Sequence, residues 1–432
     1  MPLGTAAGYN GPMRRLVLAL VCLSGAAAAV PAGAAPGEPG DARLYLPLAL
    51  VGHDPGTREP TFTPAPPTPT PTRRLDAGVP ACGRTTGDAG GFRFSRDGGV
   101  TLAPNARRLA NLAYTWDLDV DERDPDVILE LHEGSVYRST DAGCTFLRLS
   151  TPGGTGAWHD LVRAPSAPDL IVATSLDFPE VRVSTDGGAT WEPEPVPEDV
   201  VRLAIDPEDP WRWTMAGRGP ALYVRPSREA RWEARPLALG EGQQIVSAAA
   251  AASVPGRWLV GTSSAGLFRT EDGGETWEPA SAGLYGEIGQ PPERVGAVVV
   301  VSVAFAPSDP DVAYAVVNRV AMQGGERGIW RTADAGRTWE RRVVEGDKVG
   351  QTPATLTGGT RVFVSPLDPD RTFFVFGAAF GGYGTDLFRS ADGLRTLATS
   401  HFDGFHDVFA IAFGPAATDV VFLGASSEIP PH

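Results

Sequence analysis

The chain has 432 residues, 42% hydrophobic and 21% charged, so it can bury a core and is not disordered as a whole. Its 52 glycines and 40 prolines exclude a long-helix or coiled-coil protein and point to many turns. The formal charge is -15, and Lys348 is the single lysine, which disfavours nucleic acid as a partner. Length alone suggests about three domains of roughly 150 residues each.

In chain order, residues 13–35 read MRRLVLALVCLSGAAAAVPAGAA. A basic pair, an apolar run and small residues in A-x-A order make this a secretory leader, assigned to 1–35 with the start at Met13. Val21 is too large for the position before a lipidated Cys22, so a lipoprotein anchor is disfavoured. Removing the leader leaves no transmembrane segment. Residues 36–75 are an extended Pro/Thr-rich linker, as in DPGTREPTFTPAPPTPTPTRR (54–74). Within it, RLYLPLALV (43–51) is read as a strand docked on a sheet edge, or else as a sorting tag.

Residues 76–432 are repetitive. A pattern of aromatic or aliphatic, Arg, Ser/Thr, x, Asp, x, Gly, x, Thr, Trp recurs as YRSTDAGCTF, RVSTDGGATW, FRTEDGGETW, WRTADAGRTW and FRSADGLRTL. Two weaker copies are RFSRDGGVTL and YVRPSREARW. The acidic positions are Asp97, Asp141, Asp186, Asp272, Asp334 and Asp392, with Ser227 in the copy that lacks the acid. Successive spacings of 44, 45, 41, 45, 62 and 58 suit one four-stranded blade per repeat, with insertions in the last two. Between the boxes lie two apolar strands joined by a Pro/Asp turn, as in VRLAIDPEDPWRWTMAG. The array starts with a box that has no preceding strand pair and ends with a strand pair that has no box. Joined, the two ends complete one blade, which gives an all-β, seven-bladed β-propeller closed by a blade shared between the termini.

The boxes resemble the Asp-box (BNR) repeat of sialidases, sortilin-type receptors, xyloglucanase-like glycosidases and photosystem II assembly factors. The resemblance implies a propeller and leaves the chemistry open. It implies that the box aspartates shape turns away from the usual ligand face. A sialidase would need an Arg-Ile-Pro segment near the first strand, where this chain has FRFS (92–95). A xyloglucanase-like enzyme would need two propellers. Another glycosidase would need two carboxylates about 5–10 Å apart.

The acidic run Asp117, Asp119, Asp121, Glu122, Asp124, Asp126 lacks the sixth-position Gly of a calcium loop and reads as an exposed strand face running into a turn. His159-Asp160 and His406-Asp407 fall near the start of innermost strands, where a solvated turn is preferred over a channel metal site. Neither a metal nor any other cofactor is expected. Cys82 and Cys144 remain after leader removal, in neighbouring blades, and are expected to form a disulfide across the seam.

Four insertions, 279–297, 318–328, 344–360 and 377–386, fall on the face opposite the boxes and cluster in space. They supply the candidate binding residues Tyr285, Glu287, Arg294, Arg319, Arg327, Lys348, Tyr383 and Asp386. The expectation is a secreted or cell-surface, monomeric, non-catalytic binder of an extracellular protein or polysaccharide. The alternatives are a glycoside hydrolase of sialidase-like or other exo type, and a chaperone of the assembly-factor kind.

Overall fold

Alternation along each strand decides the architecture. In Trp258–Thr262, Leu259 faces one neighbouring sheet, while Trp258 and Val260 face the other. Both faces are apolar, so each sheet needs a partner on both sides, and a ring is the arrangement that supplies one to every sheet. The structure, a computed structural model, describes residues 77–82, 92–104, 115–132, 134–153, 158–284, 297–320, 327–350, 352–354, 356, 360–376, 385–402, 406–417 and 419–427. Residues 1–76, which include the stretches read as leader and linker and the 43–51 segment, lie outside the described residues.

Seven four-stranded antiparallel sheets form the blades. Blade 1 joins Phe92–Ser95 and Ala103–Pro104 to His406–Phe413 and Val421–Ser427. The innermost strands of blades 2 to 7 are Thr115–Val120, Trp158–Arg163, Val200–Ile205, Ile245–Ala250, Ala297–Ala306 and Val362–Val364. Among the described residues no helix is long and apolar enough to cross a membrane. The shared blade stands as the sequence led us to expect, with Phe92 opposite Gly424 and Ser95 opposite Val421.

The core is divided. Among the described residues, seven hydrophobic clusters each straddle two adjacent blades. The seam cluster sets Phe92, Phe94 and Phe422 of blade 1 against Leu118, Ile128 and Phe146 of blade 2. Phe92 and Phe146 rings are tilted 60° with centroids 4.7 Å apart. Gly143, in the left-handed region at φ 83°, lies against this cluster, and a Cβ there would stand 2.7 Å from the Phe92 ring.

Residues 344–360, one of the four insertions, carry structure of their own. They contain a hairpin, Lys348–Val349 with Thr352–Pro353, and bury Ala354 and Leu356 completely between blades 6 and 7. Apolar side chains at these positions draw the insertion onto the core.

Cys82 and Cys144 are bonded, with Cα atoms 5.6 Å apart. The bridge ties the segment before blade 1 to the box of blade 2. Arg96 adds bonds to the Pro80 carbonyl at 2.7 Å and the Cys82 carbonyl at 2.9 Å, and the Gly78 amide donates to Asp126 at 2.8 Å. The cysteines are 62 residues apart, and closing such a loop restricts the unfolded chain by on the order of 4 kcal/mol. A Cys82→Ser/Cys144→Ser chain is therefore expected to unfold at clearly lower denaturant, by about 2–4 kcal/mol. Equal unfolding midpoints with unchanged slope would contradict the bridge's role.

Candidate functional site

Six innermost strands carry a β-bulge at the same place: between Thr115 and Asp117, Trp158 and Asp160, Val200 and Arg202, Ile245 and Ser247, Val300 and Ser302, and Val408 and Ala410. A bulge adds one residue and re-aims its neighbours. The residue after each bulge sits at one level of the central channel. That level reads Asp117, Asp160, Arg202, Ser247, Ser302 and Ala410 from blades 2, 3, 4, 5, 6 and 1. In blade 7 Val362 pairs with Phe374, which puts Arg361 opposite Val375 at the same level.

This ring links blades. Asp117 Oδ2 accepts the Leu161 amide of blade 3 at 2.7 Å, and Arg202 of blade 4 donates to Asp160 at 2.9 Å. Ser247 donates to the Val300 carbonyl of blade 6 at 2.6 Å. One level on, Arg163 binds Asp119 at 2.6 Å and Asp121 at 3.1 Å. The strand part of the acidic run is thus no exposed face, while Glu122 and Asp124 are exposed in the turn that follows it. Asp117 and Asp119 stand on the innermost strand and hold blade 3, because the ring gives that strand a neighbour on both sides.

Burial first, then the Asp160 charge, pushes the Asp117 carboxyl well above its ordinary range. His159, the extra residue of its bulge, lines the channel and is not a solvated turn residue. Burial lowers its pKa, and Arg361 and Arg202 lower it further against the opposing pull of Asp160. His406 begins the innermost strand of blade 1, and its side chain lies outside the description. The ring encloses a cavity of about 460 Å³.

The box turns repeat one bonding scheme. Thr270 Oγ1 donates to Asp272 Oδ1 at 2.7 Å and accepts the Gly274 amide at 2.9 Å. Asp272 accepts the Thr276 amide at 2.9 Å and its hydroxyl at 2.6 Å. Asp97, Asp141, Asp186, Asp334 and Asp392 have matching partners. The Thr276 side chain and then its amide hold Asp272 down at about 2. Their oxygens are used inside the turn, which suits a shaping role. Blade 4 departs from the scheme. Arg225 takes the Ser/Thr position, lies over Trp213 at 4.0 Å and Trp232 at 5.2 Å, and pairs with Glu194.

Of the candidate binding residues, Tyr285, Glu287, Arg294 and Tyr383 lie outside the described residues. Arg319 is in the strand Asp309–Val320, opposite Val298. Arg327 is engaged within blade 6 and its insertion, with Asn318 at 3.3 Å and the Leu356 carbonyl at 3.0 Å. Lys348 is exposed on the hairpin, and Asp386 lies opposite His401 in blade 7. The channel ring escaped sequence reading. Its signal was the Asp, Asp, Arg, Ser, Ser series that appears when innermost strands are aligned on their Pro/Asp turns.

A second polar cluster is sealed in blade 2. Thr115 donates to Glu130 at 2.6 Å and meets His132 Nδ1 at 3.0 Å, and all three side chains are buried. Among the described residues Glu130 Oε2 has no hydrogen-bond partner. Burial raises the Glu130 carboxyl to about 8 against the pull of Thr115.

The BNR/Asp-box repeat family model matches residues 182–193. The dispase autolysis-inducing protein of Streptomyces mobaraensis is 31% identical over 366 residues, which cover 80% of this chain and 89% of that protein. Among solved structures, the GH74 xyloglucanase of Xanthomonas campestris superposes with a TM-score of 0.52 at 18% identity, over 74% of this chain and 54% of that one. The chain thus spans about half the length of that enzyme. YCF48 from Cyanidioschyzon merolae gives 0.51 at 17% identity, over 73% of this chain and 96% of that one. Both share the propeller fold.

Keeping Glu130 neutral costs the folded state more as pH rises above the unfolded value near 4.5 and stops growing above about 8. Glu130→Gln removes that cost. Its melting temperature relative to the unsubstituted chain is expected to climb between pH 4.5 and 8 and then level, by a few kcal/mol of stability. A pH-independent difference would contradict the assignment.

Proposed function

The chain belongs to the family of the dispase autolysis-inducing protein, and from that premise we propose that it binds a protein partner outside the cell and promotes that partner's self-cleavage. The observation that carries this reading is the extent of the match, 31% identity along 89% of the relative. A likeness of that length covers the ring as a whole, not one box. The relative's name assigns it an effect on dispase, and a binding role for this chain follows by kinship. The likeness to the xyloglucanase and to YCF48 is one of fold, so neither glycoside cleavage nor assembly work is drawn from it.

The physical setting agrees with a binder. The disulfide suits an oxidising compartment, as does the secretory leader read at 1–35. The closed ring joins seven blades into one scaffold that can present loops to a partner. We propose the partner contact on the face of the insertions, with Tyr285, Glu287, Arg294, Arg319, Lys348, Tyr383 and Asp386 as contact residues and Arg327, which binds Asn318 and the Leu356 carbonyl, as a positioning residue.

Mixing the purified chain with dispase tests this directly. Intact dispase is expected to disappear several-fold faster than in the presence of the same chain after heat denaturation. An unchanged dispase lifetime at a molar excess of folded chain would contradict the proposed role.

A further inference from the structure

We propose that Thr115, Glu130 and His132 form a pH-sensitive latch on the face that blade 2 turns to blade 1, tight while Glu130 carries a proton and loosened once it is ionised. This goes beyond the partner-binding reading and does not depend on it.

Position is the first support. Side chains alternate along Ile128–His132. Leu129 and Leu131 pack towards blade 3, and Ile128 packs with Phe92, Phe94 and Phe422 of blade 1. Glu130 and His132 share the side of Ile128, so they lie on the face where the ring closes. Thr115 stands opposite His132 on the neighbouring strand. Blade 1 shuts over it with bare backbone, since a Cβ on Gly424 would stand 2.2 Å from Thr115 Cγ2.

The absence of a counter-charge is the second support. Glu130 and Thr115 are completely buried, and His132 nearly so. Glu130 Oε1 meets Thr115 Oγ1 at 2.6 Å and lies 3.8 Å from His132 Nδ1. Glu130 Oε2 is without a hydrogen-bond partner among the described residues. The titratable neighbours are His132 and Tyr137, which stands opposite Glu130 on the next strand. The blade 1 residues described against this face, Phe92, Phe94, Ala410, Phe422 and Gly424, carry no charge. The His406 and Asp407 side chains of blade 1 lie outside the description. A carboxylate here would exchange its water shell for one hydroxyl, so the closed face favours the neutral acid. Parting the blades admits water and removes that preference.

Below about 4.5 Glu130 holds its proton whether the two faces are together or apart, and closure is tightest. Between about 4.5 and 8 only the closed face keeps the proton, so closure weakens by up to about tenfold per pH unit. Above about 8 the weakening stops. What parts is one blade face from the next. Blade 1 keeps its own strand pairing, and the Cys82–Cys144 bond keeps the two blades tethered.

Thiol labelling of the full chain tests the latch. Ile128→Cys places a reporter on this face, and Leu259→Cys places one between blades 5 and 6. Labelling by iodoacetamide, read by peptide mass and corrected for the thiolate fraction of the denatured chain, reports local opening. From about pH 5.5 to about pH 7.5 labelling at Ile128→Cys is expected to rise at least about tenfold more than at Leu259→Cys. Glu130→Gln is expected to abolish that excess. Equal rises at both sites, or an excess that survives Glu130→Gln, would overturn the proposal. Carbon-13 NMR of the unsubstituted chain, labelled in glutamate alone, needs no variant. One side-chain carboxyl is expected to titrate near 8. A chain in which every glutamate titrates below about 6 would overturn the latch as well.

Discussion

The antiparallel pairing of Phe92–Ser95 with Val421–Ser427 is the constraint on which the ring depends. Every blade presents apolar residues on both faces, so an open array would leave two sheet faces and two strand edges in water. Joining the first box strands to the last strand pair removes both problems at once. It also completes two of the seven inter-blade clusters, those between blades 1 and 2 and between blades 7 and 1. Close packing at the seam leaves little freedom, since a Cβ at Gly424 would stand 2.2 Å from Thr115 Cγ2. The Cys82–Cys144 bond lies beside this junction and limits its separation in the unfolded chain.

Two repeated features then divide the work. Box turns on one face satisfy their own polar groups locally and press glycines against neighbouring blades, as Gly336 does on Leu259. Bulges on the innermost strands bring one residue per blade to a common level in the channel. Boxes vary little because the turn dictates them. The ring position varies freely among acid, arginine, serine and alanine, which is where a shared scaffold can acquire its own chemistry.

This contrast explains what was legible in the sequence. A box is complete within a few residues, so Ser184, Asp186, Gly188 and Thr190 can be recognised from spacing alone. The shared blade was legible because its two halves are incomplete in complementary ways. The ring demanded register across seven strands and a one-residue bulge in six of them, which no local pattern carries. Asp117 and Asp119 therefore looked like a solvated face, and His159 like a turn residue. Blade 4 shows the limit in another way. Its weak box reads as decay in sequence, yet Arg225 over Trp213 and Trp232 fills the same place with different chemistry.

Ring closure is tested most directly by amide hydrogen exchange of the disulfide-intact chain. The account predicts that Phe92–Ser95 and Val421–Ser427 exchange in the same slow, cooperative class as the Trp258–Thr262 strand of blade 5. Exchange of either seam strand orders of magnitude faster, at the rate of exposed turns, would contradict a ring held shut by the shared blade.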